Sequence, residues 1–247
     1  MSISISNQAL ININTFASIN INSAFISSAV TVGLLVSLDA GNTASYPGSG
    51  SVWTDTISSK AFTLFNTPTY NAASGGYITF VPGSSQYAQA TSLTSSLAKW
   101  TMETWHYYTG TNSSGQPTII TEVFPGSTSK INFSLGTNSG TGTLQSGFFD
   151  GAWRTTTGVS LTTNTWNHIV GTYDGAINKL YVNNVLVQTA SYSGAPATSQ
   201  GGIRLMRRWD SAQYWGGRLA IVNIYTGSFT AADVSQNYNT NRGRFGL

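Results

Sequence analysis

The chain holds two glutamates, Glu103 and Glu122, six aspartates and two histidines, His106 and His168. These are the residue types that could carry acid–base or nucleophilic chemistry. Cleavage of a glycosidic bond needs two carboxyls flanking it, about 5–5.5 Å apart for retention and about 6.5–9.5 Å for inversion. Glu103 stands in Met102-Glu-Thr-Trp105-His-Tyr107 without a neighbouring carboxylate. Strand alternation puts Glu103 and Trp105 on one face. A carboxylate beside an indole can hydrogen-bond and stack on a sugar, so this pair is a candidate glycan contact. The alternative is an ordinary strand position with a buried tryptophan. His168 lies inside Trp166-Asn-His-Ile-Val170 and His106 lies between aromatics, and both read as packing residues. There is no G-x-S-x-G elbow, Walker A sequence or dinucleotide fingerprint. With no cysteine, thiol nucleophiles and thiolate metal sites are excluded. Asp39, Asp55, Asp150, Asp174 and Asp210 are scattered singly, so spacing offers no metal site. The reading is of a protein without catalytic residues.

A denser cluster of recognition chemistry is Arg207-Arg208-Trp209-Asp210-Ser-Ala-Gln-Tyr214-Trp215. It offers two guanidiniums, two indoles, a phenol and an acid within nine residues. Such side chains are enriched at protein–protein hot spots, and aromatic faces also stack on sugars. Arg207, Arg208, Trp209, Asp210, Tyr214 and Trp215 are therefore a candidate ligand or partner contact, with subunit contact favoured over sugar. A loop that packs its own aromatics is the alternative.

Composition says what kind of scaffold holds these groups. Only 8% of the 247 residues are charged, while 12% are aromatic. Coiled coils and long surface helices need charged wet faces, and charge-rich disorder is poor in aromatics. Turn-rich β-structure fits. The net charge of +3 is too small to indicate nucleic-acid binding. The six arginines beyond residue 200, set against Asp210 and Asp233, confine the positive charge to the C-terminal fifth. No Lys or Arg precedes Lys60, so no signal peptide is read, and Ala24 to Leu38 is too short and polar for a membrane span.

Strands of five to eight residues separated by turns run from Gly33 to Tyr225. They include Gly33–Asp39, Gly76–Val81, Trp100–Tyr108, Thr118–Phe124 and Trp166–Tyr173. Lys179–Val182 and Val185–Thr189 flank Asn183-Asn184, the signature of a two-residue type I′ hairpin. Gly202–Arg207 and Trp215–Tyr225 follow, and then one short helix capped by Thr230 with Asp233 in the capping-box position. This pattern predicts a single all-β sandwich over residues 31–247. Trp105, Trp166, Phe80, Tyr181, Ile221 and Ile224 are expected inside it, with Tyr181 rather than Val182 facing inward.

Residues 1–30 differ. Ile3/Ile5, Ile11/Ile13 and Ile19/Ile21 recur every eight residues among Asn and Ser, and no charge appears before Asp39. Period-two alternation of this kind reads as strand. An uncharged edge strand pairs readily with another sheet. The segment is read as an assembly arm that adds strands to a neighbouring subunit. The alternative is an extra strand packed on its own domain.

Several motifs, in order, resemble the laminin-G-like, concanavalin A-like domains. They are Leu35-Val-Ser-Leu-Asp39-Ala-Gly-Asn42, Trp53-Thr-Asp55, Gly75-Gly-Tyr-Ile-Thr-Phe80, Thr101-Met-Glu-Thr-Trp105, Trp166-Asn-His-Ile-Val170 and the Leu180–Leu186 hairpin. The ending, Gly216-Gly-Arg-Leu-Ala-Ile-Val-Asn-Ile-Tyr225 with Arg244-Phe-Gly-Leu247, is similar to the variant common in structural proteins of tailed bacteriophages. The resemblance implies a jelly-roll sandwich of two antiparallel sheets. It implies no single activity, because the fold hosts lectins, glycanases and adhesion modules. The glucanase branch carries Glu-x-Asp-x-x-Glu on one strand, which the sequence around Glu103 lacks. Many relatives bind calcium, but Phe80-Val-Pro-Gly83 stands where they carry Phe-Asp-Gly, so no cofactor is expected. The function expected is a non-enzymatic virion protein. It would decorate a capsid or tail appendage and contact other virion proteins and itself, with no nucleic acid or membrane as partner. The alternative is a module binding cell-surface glycan, and a glycan hydrolase comes last.

Overall fold

The computed structural model describes residues 28–91, 97–123, 134–136, 143–192, 194, 196, 201–209 and 212–247. The arm isoleucines Ile3, Ile5, Ile11, Ile13, Ile19 and Ile21, and Asp210, lie outside the described residues. In chain order the strands are β1 (Leu34–Asp39), β2 (Val52–Thr54), β3 (Ala61–Phe65), β4 (Thr69–Asn71), β5 (Tyr77–Phe80), β6 (Tyr87–Ala90), β7 (Trp100–Tyr108), β8 (Thr118–Val123) and β9 (Ser134–Gly136). Then come β10 (Thr143–Phe149), β11 (Trp153–Thr155), β12 (Val159–Ser160), β13 (Thr165–Tyr173), β14 (Ile177–Val182), β15 (Val185–Ser191), β16 (Gly202–Leu205) and β17 (Gly217–Thr226). One helix follows, α1 (Ala231–Asn241), ending in a 3-10 turn over Arg242–Phe245.

Among the described residues these strands form two sheets. The first runs β15-β14-β13-β7-β17-β5-β4, with β1 also paired to β17. The second runs β11-β10-β9-β8-β16-β6-β3-β2, with β12 beside β10. Every ladder is antiparallel; the longest joins β7 to β13 from Trp100↔Tyr173 to Tyr108↔Thr165. The architecture is the two-sheet jelly-roll sandwich that the strand pattern and the motif order predict.

Local chemistry explains the joints. Asn183 and Asn184 have φ of 49° and 66°, as a type I′ turn between β14 and β15 requires. The Thr230 side chain accepts from Asp233 N–H while the Asp233 carboxylate accepts from Thr230 N–H, completing the capping box of α1. Arg244 donates twice to Asp39, at 2.9 Å each, and also to the Ser74 and Gly76 carbonyls. That pins the C-terminal turn to the end of β1.

Alternation sorts each strand of the first sheet into two buried faces. Trp100 and Met102 of β7, Ile169 and Tyr173 of β13, and Val222 and Ile224 of β17 point between the sheets, against Phe62, Ile120, Leu135, Phe148 and Leu205. The opposite face is covered by α1 and the C-terminal turn. There Trp105, Trp166, Tyr77 and Ile221 pack with Phe245, and Val170, Tyr181 and Tyr225 pack with Phe229 and Val234. A sheet buried on both faces reads as continuous apolar sequence, which is why β7, β13 and β17 carry so few exposed positions. Trp105, Trp166, Tyr181 and Ile221 are thus buried, but under the helix. Between the sheets β14 contributes Leu180 and Val182, so the expected choice of Tyr181 over Val182 is reversed. The cause is the helix layer, which gives Tyr181 an apolar environment on the outer side.

Trp166 keeps only 6% exposure and contacts Tyr77, Tyr107 and Phe245 edge-on or tilted at 4.7–5.7 Å. Trp166→Ala is expected to cost about 3–5 kcal/mol, read as a drop in the urea midpoint at unchanged slope. A loss below about 1 kcal/mol would mean that the helix layer contributes little to stability.

Candidate functional site

The two expected glycan contacts on β7 share a face, and that face is closed. Glu103 is 1% exposed and Trp105 is fully buried. Trp105 stacks on Phe245 at 4.3 Å and on Tyr238 at 5.8 Å. The Glu103 carboxylate lies 2.7 Å from His168 Nε2 and accepts from Asn223 Nδ2 at 3.0 Å, Tyr225 Oη at 3.2 Å and Asn237 Nδ2 at 2.8 Å. Burial by itself would raise its pKa. The His168 hydrogen bond and the attraction to that ring, with the Asn223 and Asn237 amides, outweigh burial and hold the carboxyl below its ordinary value. Neither residue can reach a sugar, because α1 and the C-terminal turn occupy the space one would need. Glu122 is also fully buried and accepts from Gly201 N–H. The described glutamates thus offer no open pair of carboxyls.

The remaining described carboxylates hold loops together. Asp55 accepts from Ser37 N–H and Ser58 N–H, Asp150 pairs with Arg154 at 3.0 Å, and Asp174 accepts from Ala176 and Ile177 N–H. Among the described residues no three His, Asp or Glu side chains converge as metal ligands.

The expected contact loop divides. Trp215 has no exposed surface and belongs to the core between the sheets, which removes it from any contact surface. It fills the space beside His106 and Tyr108 at the end of β7. Tyr214 is 8% exposed and lies 5.7 Å beneath the Arg207 guanidinium, which also covers Tyr87 at 4.6 Å. Arg208 lies 4.2 Å over the Trp209 ring and donates to Gln213. Trp209 alone among the aromatics of this loop lines a groove.

That groove is on the outer face of the second sheet, is small and open to solvent, and is lined by residues of five segments. Thr118 comes from β8, Ser134 and Gly136 from β9, Gln145 and Gly147 from β10, and Trp153 and Thr155 from β11; Gln116 and Trp209 come from adjoining loops. Pleating explains the composition. On β10, Leu144, Ser146 and Phe148 point into the sandwich, so Gln145 and Gly147 point out. A Cβ on Gly136 would come within 2.6 Å of Thr118 Cα, and one on Gly147 within 2.3 Å of the Arg154 carbonyl. The floor is therefore bare backbone.

Two indoles, Trp153 and Trp209, stand 4.8 Å apart at 47° along one side. Gln145 Nε2 donates to the Thr156 carbonyl at 2.9 Å, which orients the amide. Its Oε1 is buried and has no hydrogen-bond partner among the described residues. An unmet buried acceptor costs about 1–3 kcal/mol, and this one lies beneath the groove rather than on its surface. Sequence reasoning found Trp209 and missed Trp153 and Gln145. The signal was a tryptophan three residues after Asp150 in a turn, on strands too short and glycine-rich to be read.

His106 at the end of β7 is also fully buried, and burial pushes its pKa down to about 3. The unfolded chain takes up this proton near pH 6.5, well before the folded one, so stability is fully present above 6.5 and falls as pH falls toward 3. The expected loss is up to about 1.4 kcal/mol per pH unit. Glu103, whose carboxyl titrates below its ordinary value of 4.5, adds to the loss only below that pH. Urea midpoints between pH 6.5 and 5 should therefore slope in the natural chain and flatten in His106→Leu. An equal slope in both would show that another group titrates there.

Residues 82–235 match the family described as the concanavalin A-like lectin/glucanases superfamily. No curated protein matches the chain. Similar solved structures include the receptor-binding domain of botulinum neurotoxin type G, at 12% identity over 83% of this chain and 51% of that one, with a TM-score of 0.61. Trypanosoma rangeli sialidase is 12% identical over 88% of this chain and 34% of that one, with a TM-score of 0.63. Domain 4 of the extracellular arabinanase AbnA from Geobacillus stearothermophilus, in complex with arabinotriose, is 14% identical over 83% of this chain and 98% of that one, with a TM-score of 0.62. The chain thus spans about half of the neurotoxin domain, a third of the sialidase and nearly all of the arabinanase domain. At these identities the likeness establishes the fold. With the family match covering more than half of the sequence, the chain belongs to the concanavalin A-like lectin/glucanases superfamily.

Proposed function

We propose that the protein is a non-catalytic glycan-binding module whose sugar site is the groove on the second sheet. The observation that carries this reading is the pair of indoles Trp153 and Trp209, 4.8 Å apart, lining a groove with polar side chains on the open sheet face. A sugar ring presents C–H faces to an indole and hydroxyl donors at its rim. Seated here it would stack on Trp153 and meet the polar side chains of Gln116 and Thr155 with its hydroxyls. The arabinanase domain of the same fold, in complex with arabinotriose, supports the reading. Burial of Glu103 and Glu122 supports a role without catalysis.

The carrier we propose is a virion of a tailed bacteriophage, with the module on the capsid or a tail appendage. Support comes from the resemblance of the Gly216–Tyr225 and Arg244–Leu247 segments to that variant, and from the uncharged isoleucine repeat in residues 1–30. Attachment through such a segment would rest on backbone pairing and apolar burial. It should survive a rise to about 1 M salt, where the Debye length falls to about 3 Å. Release of the protein from purified particles at moderate salt would transfer the role to the C-terminal arginines.

The glycan reading is tested with the full chain on a glycan array, followed by calorimetry on the strongest ligand. Trp153→Ala should weaken binding at least tenfold without changing the thermal midpoint by more than a few degrees. The ligand should be recovered uncleaved. No retained glycan, or equal affinity in Trp153→Ala, would remove the groove as the site. Cleavage abolished by Glu103→Gln would remove the non-catalytic reading.

A further inference from the structure

The helix layer over the first sheet stops short of one row of side chains. Cross-strand register sets Trp166 of β13, Tyr107 of β7, Arg218 of β17, Thr79 of β5 and Thr69 of β4 side by side. Their sequence neighbours Tyr108, Leu219, Ile78 and Phe80 belong to the core between the sheets, so this row faces outward. Phe245 of the C-terminal turn stacks on Trp105 in the adjacent row and reaches Trp166. Beyond Trp166 the row opens: Tyr107, Arg218 and Thr79 are half-buried and Thr69 is exposed.

The Arg218 guanidinium lies 4.3 Å from the centre of the Tyr107 ring and 4.9 Å from that of Tyr77. Trp166 packs edge-on against both rings, which holds them in place. Such stacking uses the face of a guanidinium and leaves the N–H groups along its edge unmet. Among the described residues no carboxylate or carbonyl accepts from this side chain. Asp39, Asp150 and Glu103 are engaged by Arg244, Arg154 and His168. The side-chain hydroxyls of Thr69, Thr79 and Tyr107 likewise make no hydrogen bond among the described residues. A half-buried cation and three hydroxyls thus share one row with their polar groups unspent.

We propose that this row binds an acidic saccharide, with Arg218 holding its carboxylate. The edge of a guanidinium is a fork that fits the two oxygens of a carboxylate. Outward residues on neighbouring strands stand about 4.8 Å apart, so a saccharide lying across the strands meets the Thr79 and Thr69 hydroxyls after the guanidinium. An acidic peptide fits less well. Tyr107, Arg218 and Thr79 stand on strands bonded on both sides, so an extended chain finds no backbone edge there to pair with. The row lies on the other sheet from the Trp153 groove, and the inference does not rest on the groove reading.

Calorimetry on the full chain tests it, using trimers of galacturonate, glucuronate and mannuronate, each beside its methyl ester. At least one trimer should bind, about tenfold or more tighter than its uncharged ester. Arg218→Met keeps the stem on the tyrosine rings but removes the fork, and should weaken that binding about tenfold or more. Arg218→Lys keeps the charge without the fork and should fall between; it carries the test should Arg218→Met shift the urea midpoint. Trp153→Ala should leave the affinity within about twofold, because the groove is a separate site. Loss of binding in Trp153→Ala with none in the Arg218 variants would assign the acid to the groove and overturn the proposal. No binding of any trimer, equal affinity for acid and ester, or natural affinity in both Arg218 variants also overturns it. So does a tetra-aspartate peptide that binds more tightly than every trimer.

Discussion

A carboxylate buried on the outer face of the first sheet needs donors, and supplying them organises that side of the molecule. Glu103 of β7 draws His168 from β13, Asn223 and Tyr225 from β17, and Asn237 from α1. An unpaired buried charge is prohibitive, and removing one partner from a buried pair typically costs about 3–5 kcal/mol. The cluster can persist only with α1 in place, because Asn237 reaches it from that helix. Asn237 also accepts from Val30 N–H, so the same residue fixes where the N-terminal segment meets the domain. Apolar packing of Val234, Tyr238 and Phe245 then closes the layer around the polar centre.

This arrangement makes the two sheets unequal. The first is covered on both faces and presents mainly edges and loops to solvent. The second has one face on the core and one in water, as antiparallel sheets allow. The open face carries the groove. Recognition is thus separated from the region that sets stability, and Trp153 can be removed without touching the Glu103 cluster. Such separation is how one sandwich supports many activities, since sites are added to faces and loops while the core is kept.

The sequence patterns that survive folding are those set by local physics. The Asn183-Asn184 turn and the Thr230/Asp233 capping box need only neighbouring residues, and β7 and β13 were long enough to be read nearly to their ends. Alternation also placed Glu103 and Trp105 together on one face. What it could not supply was the cover on that face, because α1 returns from residues 231–241 after the whole sandwich is built. The same long-range event moved Tyr181 to the helix side. β9, β10 and β11 went unread because β9 and β11 are only three residues long and glycines, Gly136 and Gly147, interrupt β9 and β10. The groove made from them was hidden for the same reason.

The scarcity of charge connects these features. With 8% charged residues, the chain satisfies buried polar groups chiefly with Asn, Ser and Thr: Ser146 with Asn178, Thr101 with Thr172, Gln86 with the 66–67 backbone. Neutral donors and acceptors avoid most of the desolvation penalty of ions. The same economy leaves β15 without the lysines that usually protect an edge. It also leaves residues 1–30 without a single charge. Among the described residues, Ser28 and Val30 are held to α1 by Gln236 and Asn237, which fixes where that uncharged sequence joins the domain.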